Sequence, residues 1–240
     1  MDTIKLENKG KTKLIAHRGL SGLETENTVA AFVAACNRDY FGVETDVHVT
    51  ADGKFAIYHD DETGRVCEEN LPVERSSFAQ IRALSMREAG GEGFSDVQRI
   101  PALSEYLNVI RRYGKRAVVE LKNPMTEENI EEIVRTCARL YDLESVVFIS
   151  FCFDNLVVVR KNHPHCTLQF LTGEYSEELP AKLAAAGMGV DIWYGALTEA
   201  RVRAFHEAGV PVNCWTCDAP AEAEKLISWG VDMLTTNILQ

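Results

Sequence analysis

The sequence has no apolar run of about 18 residues, so no helix is expected to span a bilayer. From Met1 to Lys13 it is polar and Lys-rich, without an apolar stretch before a small-residue cleavage site, so it is not read as a signal peptide. Positive charge is scarce. Against 36 Asp plus Glu stand 25 Lys plus Arg, a formal net charge of −11. Such a surface repels nucleic acid and anionic bilayers, so neither is an expected partner. An anionic small molecule can still bind where cationic groups gather locally. The cysteines form no even framework: Cys36, Cys67, Cys137, Cys152, Cys166, Cys214 and Cys217 are odd in number and scattered. Free thiols in a reducing cytoplasm fit them better than disulfides. Cys214-Trp215-Thr216-Cys217 has C-x-x-C spacing, but it closes a strand-like run rather than opening a helix, and no second Cys pair accompanies it. Redox and zinc chemistry are therefore disfavoured.

What is present is a rhythm. With 46% hydrophobic and 25% charged residues, the chain can build a sizeable core. Strand-like runs are expected at 13–16, 42–49, 116–121, 146–150, 167–171, 189–193, 211–216 and 231–235. Helical spacing separates them at 28–38, 103–112, 127–140, 154–161, 177–186, 198–208 and 221–229, with Asn27 read as the first N-cap and Thr126 opening the helix over 127–140. Asp52-Gly53 marks a hairpin returning over 54–58. Repeated βα units predict parallel pairing with right-handed crossovers, and eight strands can close into a (β/α)₈ TIM barrel, an α/β fold. An open doubly wound sheet ranks second, because no G-x-G-x-x-G or P-loop follows a strand. Residues 1–240 read as one barrel domain. The polar, Gly-rich stretch 61–100, after the second strand, reads as an insertion over one end. No helix follows the last strand, so residues 1–11 or a second subunit of a homo-oligomer are expected to cover the wall there.

In such barrels function collects at the C-terminal strand ends. Those ends carry His17, Arg18 and Gly19; Glu44 and Asp46; His59 and Asp60 on the hairpin; Glu120 and Lys122; and later Ser150, Gln169 and Trp215. Glu44 and Asp46 are two apart on one strand, so they share a face, as do Glu120 and Lys122. The acids lie within the apolar runs Gly42–Val47 and Val118–Leu121. Converging carboxylates in a poorly solvated mouth force protonation unless a cation joins them. Hard oxygen ligands favour one Mg²⁺ or Ca²⁺ over Zn²⁺. His17 and His59 can form a general acid and base pair. Arg18 can grip a phosphate bidentately and Lys122 can add a point charge. This set fits displacement at phosphorus. His48, His163, His165 and His206 read as surface or structural, although alternation lets His48 also face inward.

At these residues the sequence resembles the glycerophosphodiester phosphodiesterase family. The matching pieces, in order, are His17-Arg18-Gly19, Glu26-Asn27-Thr28, Glu44-Thr45-Asp46-Val47, Thr50-Ala51-Asp52-Gly53, His59-Asp60, Ile100-Pro101-Ala102-Leu103, Val119-Glu120-Leu121-Lys122, Ser150-Phe151 and Trp215-Thr216. The resemblance implies a (β/α)₈ barrel, a cation held by Glu44, Asp46 and Glu120, and His17 and His59 as the acid–base pair. It places Arg18 and Lys122 near the phosphate, with sn-glycerol 3-phosphate and an alcohol as products. Glu26, Asn27, Ser150, Gln169 and Trp215 are candidates for the substrate pocket. Three departures stand out. Thr25 replaces the family's usual Pro, Thr235-Thr236-Asn237 stands where an acidic residue is common, and Thr63-Gly64-Arg65 blurs an Arg-Thr-Thr pattern. The residues do not decide which His is the base, nor whether water or the glycerol 2-hydroxyl attacks. Two rivals remain. One is a barrel phosphodiesterase for lysophospholipids or phosphoinositides, with Phe78, Ile81, Leu84 and Phe94 as an apolar face. The other is a catalytically inactive ligand-binding barrel.

Overall fold

A computed structural model describes residues 2–91 and 93–240; Met1 and, within the Gly-rich stretch, Glu92 lie outside the described residues. The strands are β1 (Lys13–Ala16), β2 (Gly42–Val49), β3 (Phe55–Ile57), β4 (Arg116–Leu121), β5 (Val146–Ser150), β6 (Thr167–Thr172), β7 (Gly189–Trp193), β8 (Val212–Trp215) and β9 (Met233–Thr236). All but β3 pair in parallel, and β1 joins both β9 and β2, which closes an eight-stranded barrel. β3 runs antiparallel to the upper half of β2. The helices are α1 (Val29–Cys36), α2 (Phe78–Ala83), α3 (Leu103–Tyr113), α4 (Glu127–Leu140), α5 (Phe153–Asn162), α6 (Leu179–Ala186), α7 (Glu199–Glu207) and α8 (Pro220–Ser228). This is a (β/α)₈ TIM barrel, as the alternation predicts. Among the described residues no helix is long and apolar enough to cross a membrane.

Alternation along the strands sorts the side chains. Val43, Val47, Val119 and Phe148 meet the helices in the main core, while Ile15, Val118, Ile149 and Leu171 pack inside the barrel. α3 is pinned between the two strands that carry the acids. The Tyr106 hydroxyl donates to the Val43 carbonyl at 2.7 Å and accepts from the Val118 N–H at 3.1 Å. The parallel registers stack the interior in layers. Ile15, Val118, Gln169 and Asn213 lie beneath Glu44, Ile149, Asp191 and Thr235. Above them come His17, Glu120, Leu171 and Trp215, then Asp46, Phe151, Trp193 and Asn237 at the mouth.

Stretch 61–100 carries a small core of its own: Tyr58, Val66, Val73, Ile81, Met86 and Ile100 are buried together. Ile81 and Leu84 are buried and Phe78 packs against them, while Phe94 lies under the Arg87 guanidinium at 4.9 Å. Of the four residues read as an apolar face, three are thus packed internally, while Phe94 stays 39% exposed. The stretch is tied to the first loop by Thr25, whose hydroxyl donates to the Arg87 carbonyl at 2.6 Å, a bond that a Pro at this position could not make. The N-terminal segment runs beside the C-terminal tail. Ile4 and Leu6 donate backbone N–H groups to Ile238 and Gln240 at 3.0 and 2.8 Å, and Gln240 donates back to Ile4 at 2.7 Å. Leu239 is fully buried there, where a helix after β9 would otherwise lie.

Candidate active site and metal centre

The loop after β1 and the start of α1 are locked together by unusual backbone. Among the described residues, Arg18 (φ 53°) and Asn27 (φ 55°) are the non-glycine residues with positive φ. Such conformations are strained and persist where surrounding bonds hold them. Here the Asn27 N–H donates to the Arg18 carbonyl at 2.9 Å. Gly19 (φ 79°) has no room for a side chain, since a Cβ would meet that of Ala31 at 2.6 Å. The N-cap of α1 is Thr28, whose Oγ accepts from the Ala31 N–H, and not Asn27 as expected. Asn27 serves the site instead. Its amide donates to Asp46 Oδ2 at 2.8 Å and accepts from Thr45 at 2.9 Å.

At the mouth, oxygens of Glu44, Asp46 and Glu120 all lie within 4.8 Å of one another, and all three residues are buried. Lys122 Nζ reaches Glu120 Oε1 at 3.0 Å and Asp46 Oδ1 at 3.4 Å. Arg18 donates its backbone N–H to Glu44 at 2.8 Å, and its guanidinium meets Glu26 at 2.9 Å and Asp46 at 3.4 Å. Burial, with Asp46 and Glu120 alongside, pushes the Glu44 carboxyl well above the usual carboxylate range. Burial and then the Asp46 charge push Glu120 up to about 8. Burial acts the same way on Asp46, but Arg18 and Lys122 outweigh it and hold that carboxyl below its ordinary value. The two cations present cannot ionise all three acids, and Asp46 Oδ1 accepts no hydrogen bond. That deficit and the all-oxygen donor set fit a hard divalent cation.

The imidazoles flank this cluster and differ in their partners. His17 Nδ1 lies 2.8 Å from Asn237 Oδ1. Burial, then the Arg18 charge, push His17 down to about 4. His59 Nδ1 lies 2.5 Å from Asp60 Oδ1. Burial lowers its pKa too, opposed by Asp46 and by the Asp60 bond. Arg65, from the blurred Thr-Gly-Arg stretch, bonds Asp60 at 2.6 Å and both oxygens of Glu26 at 2.7 and 2.9 Å. His48 is buried against Glu74 and the His59 carbonyl at 3.0 and 3.2 Å, so it braces the His59 backbone. His163 and His206 make surface contacts with Glu131 and Asp232, and His165 is exposed.

The structure therefore brings together His17, Arg18, Glu26, Asn27, Glu44, Asp46, His59, Glu120 and Lys122. Trp215 joins the opposite wall, edge-on to Phe151 with ring centroids 5.7 Å apart. Two expected pocket residues do not reach the mouth. Ser150 faces the helices, donating to the Leu121 carbonyl at 2.6 Å and accepting from the Cys152 N–H at 3.1 Å; a one-residue step in a strand reverses the face, so Phe151 is the residue that points in. Gln169 lies three layers below the mouth, accepting from Asn213 at 3.4 Å. Sequence reasoning missed Arg65, Phe151, Asp218 and Asn237. Phe151 stood in a quoted motif, whereas the Asp218–Asn237 pairing joins two distant loops and leaves no periodic signal.

The comparisons with known proteins give the family. The model of the Glycerophosphoryl diester phosphodiesterase family matches residues 17–239. A glycerophosphodiester phosphodiesterase of Caldanaerobacter subterraneus is 30% identical over 95% of this chain and 94% of its own length. One from Bacillus altitudinis is 28% identical, covering 94% of each chain. Among solved structures, an Oleispira antarctica phosphodiesterase in complex with the product sn-glycerol-3-phosphate superposes with a TM-score of 0.85, at 26% identity, over 94% of this chain and 92% of that one. With a family match spanning both histidines, all three acids and both cations, the chain belongs to the glycerophosphoryl diester phosphodiesterase family and is an enzyme of that class.

Proposed function

We propose that this enzyme hydrolyses glycerophosphodiesters to sn-glycerol 3-phosphate and an alcohol, with one Mg²⁺ or Ca²⁺ and a histidine pair. One observation carries the reading: a buried carboxylate triad between two imidazoles and two cationic side chains, at the C-terminal mouth of the barrel. Glu44, Asp46 and Glu120 are the ligands. The bound cation supplies charge neutralisation at a phosphate oxygen. Arg18 and Lys122, already converging on Asp46, add the positive charge that an acidic protein needs for an anionic substrate. Glu26, Asn27, Arg65 and Asp60 hold these groups in place.

The two imidazoles have distinct work. His17, neutral at pH 7 because burial pushes it down to about 4, accepts the proton of the attacking oxygen at Nε2. The attacker is water, or it is the glycerol 2-hydroxyl, in which case a cyclic phosphate forms first and water, deprotonated by one imidazole while the other reprotonates the 2-oxygen, then opens it to sn-glycerol 3-phosphate. As the new O–P bond forms, the bond from phosphorus to the alcohol oxygen breaks. Burial lowers the His59 pKa as well, but the Asp46 and Asp60 carboxylates favour its imidazolium, and it is this form that gives a proton from Nε2 to the leaving oxygen. Residues 1–240 act as one unit, with 61–100 as the cover that anchors Arg65. The seven free cysteines fit a cytoplasmic setting.

The leaving group tests this division. Replacing either His with Ala lowers kcat on a natural diester by roughly 10²–10⁴-fold. A p-nitrophenyl ester of glycerol 3-phosphate leaves without protonation, so it restores turnover to His59→Ala and not to His17→Ala. Equal rescue of both contradicts the assignment.

A further inference from the structure

Asp218 borders the same cavity as His17 and Arg18 and is tied to His17 through one side chain. It sits in the loop between β8 and α8 and receives three hydrogen bonds. The Asn237 backbone N–H donates to Oδ1 at 2.7 Å, the Thr236 hydroxyl donates to the same oxygen at 2.8 Å, and the Asn237 side-chain amide donates to Oδ2 at 2.6 Å. With three donors aimed at it, Asp218 is an acceptor-only carboxylate. That fixes which way the Asn237 amide points. Its NH₂ must face Asp218, because the reverse orientation would set a carbonyl oxygen 2.6 Å from a carboxylate oxygen. Asn237 Oδ1 is thereby turned toward His17 Nδ1, 2.8 Å away, and toward the Ser21 hydroxyl at 2.7 Å. An amide oxygen only accepts, so His17 Nδ1 carries the proton and Nε2 keeps its lone pair.

We infer that Asp218 is a positioning residue for catalysis: acting through Asn237, it locks His17 in the Nδ1–H tautomer and leaves Nε2 as the proton acceptor. This rests on the proposed role of His17 as the base. The imidazole here meets a neutral amide, and the carboxylate stands one step further back. The other charged groups facing His17 are Arg18 on its own loop, Asp46 on β2 and Glu26 before α1. Glu44, next to His17 in the β1–β2 register, accepts the Arg18 N–H. Burial and Arg18 act against the imidazolium, while Asp46, Glu26 and the Asn237 bond favour it. Because the amide brings no negative charge into contact with the ring, His17 stays neutral, and the tautomer is chosen without making the ring a cation.

The decisive comparison exchanges the pair. Asp218→Asn/Asn237→Asp keeps one carboxylate, one amide, the side-chain shapes and the net charge, but puts the carboxylate against His17. Protein labelled with ¹⁵N-histidine and loaded with Mg²⁺ is examined by NMR, the His17 resonances being identified by their loss in His17→Gln. In the parent protein the ¹⁵N shifts report Nδ1–H. In Asp218→Asn the Asn237 amide loses its fixed direction, so the shifts move toward a mixture of tautomers. On glycerophosphodiesters kcat falls about tenfold in that variant, less than the roughly 10²-fold or more expected for losing a general base outright, with KM little changed. In the exchanged pair the His17 pKa and the acid limb of kcat/KM both rise by about one to three pH units, the usual effect of an opposite charge in contact. A purely structural Asp218 would shift the melting temperature but neither the tautomer nor the acid limb. An Nε2–H tautomer in the parent, or an unmoved acid limb in the folded exchange variant, overturns the inference. If no glycerophosphodiester is turned over by any form, the catalytic reading fails, while the ¹⁵N shifts still decide the tautomer.

Discussion

Replacing Glu120 with Gln is expected to stabilise the cation-free protein and to weaken its response to cations. The Glu120 carboxyl is pushed up from 4.5 to about 8 by burial and the adjacent Asp46. At pH 7.5 the unfolded chain ionises this group and the folded chain keeps it protonated. Each tenfold step between the two states is 1.36 kcal/mol, so ionisable Glu120 costs the fold roughly 4 kcal/mol relative to a neutral side chain of the same shape. For a carboxyl raised in the fold, stability is intact below about pH 4.5 and is lost as pH rises toward 8. Glu44, raised in the same direction, steepens the loss. The amide introduced by Glu120→Gln does not titrate and still offers an oxygen to Lys122. In chelator, therefore, Glu120→Gln matches the parent near pH 4.5–5 and exceeds it progressively up to about pH 8. Saturating Mg²⁺ or Ca²⁺ binds the ionised carboxylates and stabilises the parent by about 2.7 kcal/mol at a hundredfold excess over Kd. Glu120→Gln, one anionic ligand short, gains much less, so the difference shrinks or reverses. Thermal and urea melts across this pH range, with and without cation, measure this. Parallel stability profiles for the two proteins in chelator would refute the reasoning.

Two further outcomes follow from the scaffold. Deleting residues 2–9 removes the backbone bonds to Ile238 and Gln240 and uncovers Leu239; a full Leu burial is worth about 2 kcal/mol, so the melting temperature should fall by roughly 4–8 °C, and an unchanged melt contradicts the covering role. Gly19→Ala must force a Cβ within 2.6 Å of Ala31 at a φ of 79°, so it should lower both stability and kcat by displacing the His17–Arg18 loop, and a variant with parental kcat would show that the loop has slack.

Much of this site was legible because strand alternation is a strong code. Glu44, Asp46 and Glu120 sit in β-branched runs, so parity alone sent them to one interior, and the spacing of βα units closed that interior into a barrel. Parity is also unforgiving. Ser150 ends β5, but it lies one residue off the inward face, which belongs to Phe151. Depth is not coded by parity at all, so Gln169 pointed inward as expected but lies three layers beneath the mouth. Asn27 shows another limit. Asn suits both an N-cap and a left-handed backbone, and Thr28, one residue on, took the cap and freed Asn27 to hold Asp46. Arg65 and Asp218 act through partners far along the chain, Glu26 and Asn237, and no local pattern announces such pairs. The insertion's core, too, assembles from short stretches whose burial depends on β3 and the start of α3.

The central claim is that this barrel mouth releases glycerol 3-phosphate from glycerophosphodiesters with the help of a divalent cation held by Glu44, Asp46 and Glu120. It is tested most directly by following sn-glycerol 3-phosphate with a coupled dehydrogenase. The substrates are a set of glycerophosphodiesters, assayed in chelator and after adding back Mg²⁺ or Ca²⁺. The account predicts release that disappears in chelator, returns with the cation, and stays low in Glu44→Gln and Glu120→Gln at the cation level that saturates the parent. Product formation at full rate in chelator, or in both variants, would contradict it.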